Sequence, residues 1–550
     1  MEPIIECVPN FSEGRNPETI KLITSEIEAV PGVRLLNVDP GKATNRTVVT
    51  FVGHPQAVID AAFLAIKRAG ELIDMRNHKG EHPRMGATDV CPLIPIAGIT
   101  MEETAVWAQR LAKRVGEELQ IPVYLYEDAQ PDKTRSNLSV IRGGEYEGFF
   151  KKIKLPEWKP DFGPAEFDAR RGGTVIGARD FLVAYNVNLN TTSTRRANAV
   201  AFDVREAGRT VREGDKTVQV PGSLKSVKAI GWFIEEYGVA QISMNLTNIR
   251  VTPVHIAFDE VCRKAAERGM RVTGTELVGL IPLQSMLDAG RYFLEKQQRS
   301  TGVSEKELIR IAILSMGLDE LGTFKPEERI IEYLLRDAAG ERLVAMPLRE
   351  FADETASESP APGGGSISAY AGALGASLAT MVANLSAHKK GWDHRWREFS
   401  DWAEKGQRYK DELLRLVDAD TRAFNAIMTA FGLPKGTPEE KAARTRAIQE
   451  ATKTAIEVPF RVMEVAAESL GLIRAMAETG NPNSVSDAGV GALCVRAAVL
   501  GAFMNVRINA AGYEDKAYVD AILEKGKWIQ QETIQAETAI LQIVDGRIGL

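Results

Sequence analysis

The strongest constraint on this chain is an order of elements that runs twice and then stops. Alternating apolar positions at residues 4–9, a helical period at 17–30, strands at 33–39 and 46–53, a helix at 55–73 and a strand at 90–96 spell β-α-β-β-α-β. A helix at 101–119 and a strand at 123–126 extend that unit. From Asp180 the order returns, with a strand at 181–189, a helix at 192–206, paired strands at 229–233 and 239–245, a helix at 254–268 and a strand at 270–278. After Phe324-Lys325-Pro326 the strand signal disappears. From about Pro347 the pattern is helical, broken at 360–365, 432–436 and 480–486. The expected fold class is therefore α/β plus all-α. Two ferredoxin-like α/β sandwich subdomains at 1–178 and 179–326 lead through a linker at 327–346 to a helix bundle at 347–550. Two such sandwiches facing each other leave a cleft between them, a usual place for a ligand.

Composition narrows the classes of function. The 550 residues carry 68 Lys and Arg against 74 Asp and Glu, a net charge of -6, which argues against a general nucleic-acid binder. Cys7, Cys91, Cys262 and Cys494 form no C-x-x-C pair, so reduced, buried thiols are expected. The start Met1-Glu2-Pro3 is acidic and no apolar leader follows, which points to a cytoplasmic protein. The uncharged stretch 359–387 is the one candidate for a membrane span. Its large apolar residues, Ile367, Tyr370, Leu374, Leu378, Met381 and Leu385, fall on one stripe, and Ala, Gly and Ser fill the other faces. That is the composition of a tightly packed interior helix, and no membrane partner is expected.

The run His78-Lys79-Gly80-Glu81-His82-Pro83-Arg84-Met85-Gly86-Ala87-Thr88-Asp89 concentrates ionisable side chains between two glycines and a proline. Gly80, Gly86 and Pro83 disfavour a helix, so these residues form a loop. The formal H-x-x-E-H zinc pattern at 78–82 needs both rings on one helical face, and that helix is missing, so no metal is expected. A histidine paired to Glu81 for stability is the plain reading of His82. The apolar run Val90-Cys91-Pro92-Leu93-Ile94-Pro95-Ile96 behind the loop anchors it as catalytic loops are anchored, and favours a catalytic base.

These residues, with Val8-Pro9-Asn10-Phe11-Ser12-Glu13-Gly14-Arg15 and Asn45-Arg46-Thr47-Val48, resemble the formiminotransferase domain of the bifunctional formiminotransferase-cyclodeaminases, and the likeness extends over nearly the whole chain. The resemblance implies His82 as catalytic base of formimino transfer. It implies a folate contact along Gly163, Pro164, Ala165, Glu166, Phe167, Asp168, Ala169, Arg170, Arg171 and Gly172, a stretch otherwise readable as a turn-rich connector between the two sandwiches. Asp39 is expected to orient or charge-balance the imidazole, and Asn10 and Arg84 to hold substrate.

In the helical half, Pro362-Gly363-Gly364-Gly365-Ser366 lacks the Lys of a phosphate loop. It reads as a loop with Ser366 as N-cap, and the unhindered amides around Gly364 could also hold a carboxylate or a ligand carbonyl. Leu413, Val417, Phe424, Ile427 and Phe431 form an apolar stripe, and Asp420 falls inside it. Asp418 points nearly the opposite way and is expected to be solvated. A buried carboxyl has its pKa raised and can donate a proton near neutrality. The resemblance places the cyclodeaminase acid at Asp420. Asn505 and Asn509, one turn apart, suggest either interhelical hydrogen bonds or pterin contact.

The basic-aromatic run 389–397 is either a solvated face or a place for a polyglutamate tail. The family reading expects N-formimino-L-glutamate and tetrahydrofolate, polyglutamylated, as substrates in histidine degradation, with a homo-oligomer and no metal or nucleic acid. The alternatives are a formyltransferase and cyclohydrolase-like enzyme of the same architecture, or a non-catalytic folate-binding scaffold.

Overall fold

The doubled order folds into a seven-stranded and a four-stranded sheet. The structure, a computed structural model, describes residues 3–213, 216–335 and 343–549. The first sheet is assembled from β1 (Ile4–Cys7), β2 (Asn10–Phe11), α1 (Pro17–Glu28), β3 (Val33–Gly41), β4 (Arg46–Gly53), α2 (Pro55–Leu72), β5 (Thr88–Ala97), α3 (Met101–Leu119), β6 (Val123–Glu127), α4 (Leu138–Ile141), α5 (Glu145–Lys152) and β7 (Thr174–Ala178). With β1 and β2 taken as one interrupted strand, the order is β3-β4-β1/β2-β5-β7-β6, antiparallel as far as β5 and parallel beyond it. Period-two alternation builds two cores from the same strands. Cys7, Cys91, Leu93, Val123, Leu125 and Ile176 are buried among the helices α1 to α3. Val90, Tyr124, Tyr126 and Val175 point to the other face, where Phe149 and Ile153 cover them.

The segment 174–178, where no strand was expected, is β7, inserted between β5 and β6 with Val175 opposite Val90 and Tyr124. Its five residues follow Gly172-Gly173 and contain Gly177, so the local sequence resembles a turn. The strand exists because parallel partners bury it on both sides, which period alone does not report.

The second sheet follows as β8 (Val183–Leu189), α6 (Thr194–Val204), β9 (Arg209–Glu213), β10 (Lys216–Val220), β11 (Val227–Ile234), β12 (Val239–Leu246), α7 (Val254–Glu267) and β13 (Val272–Val278). Its order is β11-β12-β8-β13, every neighbouring pair antiparallel. The hairpin β9–β10 stands apart and was not expected. Helices α6 and α7 cover one face of the sheet.

The remaining helices are α8 (Leu283–Lys296), α9 (Glu305–Met316), α10 (Pro326–Arg329), α11 (Ile331–Leu335), α12 (Leu348–Thr355), α13 (Gly364–Ala387), α14 (Trp396–Phe431), α15 (Pro438–Thr479), α16 (Val485–Ala510) and α17 (Lys516–Ile548). The chain forms two compact units, Met1–Ala289 with Ala312–Leu335, and Gly290–Ile311 with Arg336–Leu550. The boundaries differ from the sequence reading. Residues 290–311 group with the helical unit. Residues 327–335, expected as linker, pack in the α/β unit, where Ile330 and Ile331 are buried and Ile281 bonds both Arg329 and Ile331 through the backbone. The rest of that expected linker includes 336–342, outside the described residues.

In the bundle, α13 packs between α14 and α16, and its small-residue faces point inward. Its Ala, Gly and Ser positions are buried, while Ile367, Leu374, Met381 and Leu385 lie outward, 37–46% exposed. Small residues win the interior because they let backbones approach. A Cβ on Gly375 would stand 2.7 Å from the Gly491 carbonyl oxygen. Among the described residues, α13 and the stretch Pro482–Ala510 are long and apolar enough to cross a membrane, and about half or more of each apolar window is buried inside the fold.

Candidate active sites

The three motifs that carried the resemblance meet around one loop. Ser12 bonds Gly86 and Ala87, Asn45 accepts from the Gly14 amide and donates to the Lys79 carbonyl, and the His78 ring bonds the Asn45 carbonyl at 2.8 Å. Gly80 is required there, since a Cβ would lie 2.8 Å from the carbonyl carbon of Thr44. So held, the loop presents His82. Its Nδ1 lies 2.7 Å from the Pro83 carbonyl oxygen, which can only accept, so Nδ1 carries the proton and Nε2 the lone pair. Arg46, at the start of β4, reaches Nε2 with Nη1 at 2.8 Å. Burial, then Arg46, then Arg142 hold the imidazole well below its ordinary pKa, so it is neutral and basic in form at physiological pH.

Arg46 and Arg142 are the residues of this site that sequence reasoning passed over. Arg46 stood inside a quoted motif, but nothing in its spacing linked it to His82. Arg142 lies 53 residues from Asp89, whose fully buried carboxylate it pairs with and which also accepts from the Met85 amide. Such pairings are set by tertiary structure alone.

Two expected roles are corrected. Arg84 is buried, and its Nε and two terminal nitrogens donate to Glu145, Glu147 and His78, leaving no N–H for a substrate. It braces the loop. Asp39 accepts from the Gly279 amide at 3.0 Å and faces Arg329 at 3.8 Å, and the imidazole is oriented by Pro83 instead. Asn10 is buried in β2 and donates to the Val8 carbonyl at 2.9 Å.

The stretch from Gly163 to Gly172 does not run between the sheets. It folds against the first sheet's own helices, with Arg170 bonding the Glu71 carbonyl and Arg171 the Leu119 and Gln120 carbonyls, at the ends of α2 and α3. Phe167 packs among Tyr146, Phe149 and Phe150, Asp168 accepts from the Arg170 and Arg171 amides, and Ala169 accepts from Tyr146. Ala165 and Glu166 are exposed and Pro164 is part-buried on the same loop. Its end grips the His82 loop, through Gly172 opposite Gly86, Arg171 with Ala87 and Gly173 with Met85. Gly172 has φ +69° and no room for a side chain.

The second site joins α13 and α14. Asp420 takes a hydrogen bond from the Ser366 hydroxyl at 3.1 Å and one from the Ser366 amide. Gly365 leaves the space in which its carboxylate sits, and Asn505 lies against Gly364. Burial raises the Asp420 pKa although both Ser366 bonds oppose it. Ser366 is not the N-cap. That position is Gly363, and the one Ser366 hydroxyl proton is shared between the Val417 carbonyl at 2.9 Å and Asp420 at 3.1 Å. The helix start is thus capped from α14.

Asp418 is not solvated. It is 5% exposed and accepts from the Leu343 amide at 2.9 Å and the Val344 amide at 3.3 Å. The helical wheel placed it correctly away from the stripe, but segment 343–346 covers that face. Asn509 gives its amide to the Ala455 carbonyl at 2.7 Å. Pro459 inside α15 has no N–H for that carbonyl, so Asn509 supplies the missing donor and is committed to packing. Asn505 bonds the Gly501 carbonyl of its own helix. In the run 389–397, Arg395 pairs with Glu398 and Arg397 with Glu295, while Lys389 lies over the Trp392 ring. Among the described residues no cluster of His, Cys, Asp and Glu is suited to a metal ion.

Residues 4–179 match the family described as formiminotransferase domain, N-terminal subdomain, residues 184–336 the formiminotransferase domain, and residues 347–527 formiminotransferase-cyclodeaminase. The chain is 42% identical over 548 residues to formimidoyltransferase-cyclodeaminase of Rattus norvegicus, covering 100% of both. It is 43% identical over 294 residues to glutamate formimidoyltransferase of Thermoplasma acidophilum, 53% of this chain and 92% of that protein. Methenyltetrahydrofolate cyclohydrolase of Methylorubrum extorquens is 38% identical over 202 residues, 37% of this chain and 97% of that protein.

Proposed function

The chain belongs to the formiminotransferase-cyclodeaminase family, and on that premise we propose how its residues divide the two reactions. The enzyme moves the formimino group of N-formimino-L-glutamate to tetrahydrofolate and closes 5-formiminotetrahydrofolate to 5,10-methenyltetrahydrofolate with release of ammonia. The observation that carries the assignment of the first step is the imidazole of His82, protonated on Nδ1 by its bond to Pro83 and neutral through burial and two guanidiniums. As nitrogen-5 attacks the amidine carbon, His82 Nε2 takes the nitrogen-5 proton. The bond to the glutamate nitrogen then breaks and that proton passes to the departing amine. Such proton transfer contributes roughly 10²–10⁴-fold.

In the bundle, nitrogen-10 attacks the formimino carbon, the amino group leaves as ammonia carrying the Asp420 proton, and the nitrogen-10 proton restores the acid. Gly364 and Ser366 hold the helix start against which Asp420 works, and Asn505 faces the same place. Tetrahydrofolate, polyglutamylated, lies along the exposed side of the 163–172 loop at the first site. The α/β unit carries transfer and the helical unit carries ring closure. The setting is histidine degradation in a cytoplasmic homo-oligomer. The full-length relatives do not favour the formyl-using or scaffold alternatives. Incubation with N-formimino-L-glutamate and tetrahydrofolate tests the whole reading, with glutamate and ammonia released in equal amounts as the expected result and glutamate without ammonia as the result that removes the second activity.

A further inference from the structure

Among the described residues no carboxylate pairs directly with Arg46. Its guanidinium is largely buried and its Nε–H has no acceptor. The nearest acids are committed elsewhere, Asp89 to Arg142 and the Met85 amide, Asp39 to the Gly279 amide and Arg329. Burial and Arg142 lower even its own pKa, to about 10. A buried guanidinium without a counter-ion, and a buried N–H without an acceptor at about 1–3 kcal/mol, are arrangements that proteins keep where a ligand completes them. The second peculiarity lies on the other side of the same bond. The Nε2 lone pair of His82, which a general base needs, is occupied by Arg46 Nη1 at 2.8 Å.

We propose that Arg46 is the anchor for the α-carboxylate of N-formimino-L-glutamate and that this carboxylate, drawing the guanidinium onto itself, uncovers Nε2 of His82. The inference rests on His82 being the base of the transfer reaction. The α-carboxylate is the one that fits, because it hangs from the carbon bearing the amidine nitrogen. With the reacting carbon within about 3–3.5 Å of the attacking nitrogen, beside His82, it reaches a guanidinium touching that ring. The γ-carboxylate is two carbons further away. A planar guanidinium with Nε and one terminal nitrogen free also offers the parallel pair of N–H groups that a carboxylate accepts. Substrate thereby switches on its own base, and Arg46 acts both as a binding residue and as a positioning residue for His82.

The test crosses enzyme variant with substrate. Wild type, Arg46→Gln and Arg46→Lys are assayed for glutamate or amine release with N-formimino-L-glutamate, with N-formimino-4-aminobutyrate, which lacks the α-carboxylate, and with N-formimino-L-alanine, which keeps it. In wild type, loss of the α-carboxylate should lower kcat/KM by about 10–100-fold, the range of a charge-assisted bond, while N-formimino-L-alanine loses less. In Arg46→Gln that penalty should shrink to within about 3-fold, and Arg46→Lys, with a point charge but no fork, should fall between. The acid limb of the transfer profile should also move up in Arg46→Gln. Of the charged groups near His82, that variant removes the closest cation and leaves Arg142, Asp89 and Asp39 in place. An unchanged α-carboxylate penalty in Arg46→Gln, or an acid limb that stays where it was, overturns the proposal. Circular dichroism and the thermal melt of each variant report folding, and if Arg46→Gln is unfolded the Lys variant carries the comparison. Failure of wild type to transfer from N-formimino-L-glutamate would instead remove the reading beneath it.

Discussion

His82 and Asp420 both lose water, and the two regions put that loss to opposite ends. Burial of an imidazole disfavours its charged form, and burial of a carboxyl disfavours its charged form too, so one is pushed toward the free base and the other toward the protonated acid. The neighbours differ in sign as well. Around His82 two guanidiniums push in the same direction as burial. Around Asp420 the Ser366 hydroxyl and amide push against burial, and burial wins. A loop clipped between motifs of an α/β sheet can gather charged side chains at one point. A bundle interior supplies mainly desolvation and helix ends. The fold available at each place therefore limits which half of acid–base chemistry it can host.

The comparison breaks most visibly through its two ionisable groups. His82→Asn should lower transfer by roughly 10²–10⁴-fold and leave cyclisation of supplied 5-formiminotetrahydrofolate intact. Asp420→Asn should do the reverse, so that the formimino intermediate accumulates. Chromatographic separation of the folate species in both variants checks the pair, and loss of both activities in either one would mean a structural role for that residue.

A finer measurement needs no mutation. As the proposed base, His82 would act only when neutral, and its pKa is held well below 6.5, so transfer should hold its rate as pH falls through 6.5 and drop only at more acid values. As the proposed acid, Asp420 would act only when protonated, and its pKa is raised from 3.8, so cyclisation should decline as pH rises. The two profiles on one enzyme should therefore fall on opposite sides. A transfer rate already halved at pH 6.5 would show that the imidazole is not shielded as described.

The sequence made the doubled β-α-β-β-α-β order and the helical character of the C-terminal half legible because both rest on hydrophobic period, a local signal. It also singled out the two residues on which the proposed chemistry rests, His82 through a crowded loop and Asp420 through a carboxylate in an apolar stripe. What it could not supply was the outside of each element. The helical wheel gave the direction of Asp418 but not the segment 343–346 that covers it. The apolar stripe of α13 was real, yet the small side faces inward, because close backbone approach to α16 outweighed burial of larger side chains. Arg46 and Arg142 join His82 only through strands and loops far apart in sequence, and Arg84, chemically equal to them, is spent on Glu145 and Glu147.

Asp418 separates a structural carboxylate from a chemical one two residues away. Asp418→Ala should leave the Leu343 and Val344 amides without their acceptor and destabilise the helical unit by about 2–4 kcal/mol, while cyclisation per folded molecule is kept. Denaturant titration followed by helical signal measures it. A stable Asp418→Ala protein would return this residue to the solvated face expected from sequence.

The smallest expected effect concerns Asn509 and asks whether it belongs to packing or to the pterin. Pro459 deprives the Ala455 carbonyl of its helical donor, and Asn509 from α16 replaces that donor at 2.7 Å. Asn509→Leu should cost about 1–3 kcal/mol, the usual penalty for an unsatisfied buried acceptor. In a Pro459→Ala background residue 459 regains an N–H directed at that carbonyl, so the same Asn509→Leu change should cost clearly less. The difference between the two costs is a coupling that only the shared carbonyl explains. Equal costs in both backgrounds, together with a raised KM for 5-formiminotetrahydrofolate in Asn509→Leu, would move Asn509 out of the packing and beside the folate, next to Asn505.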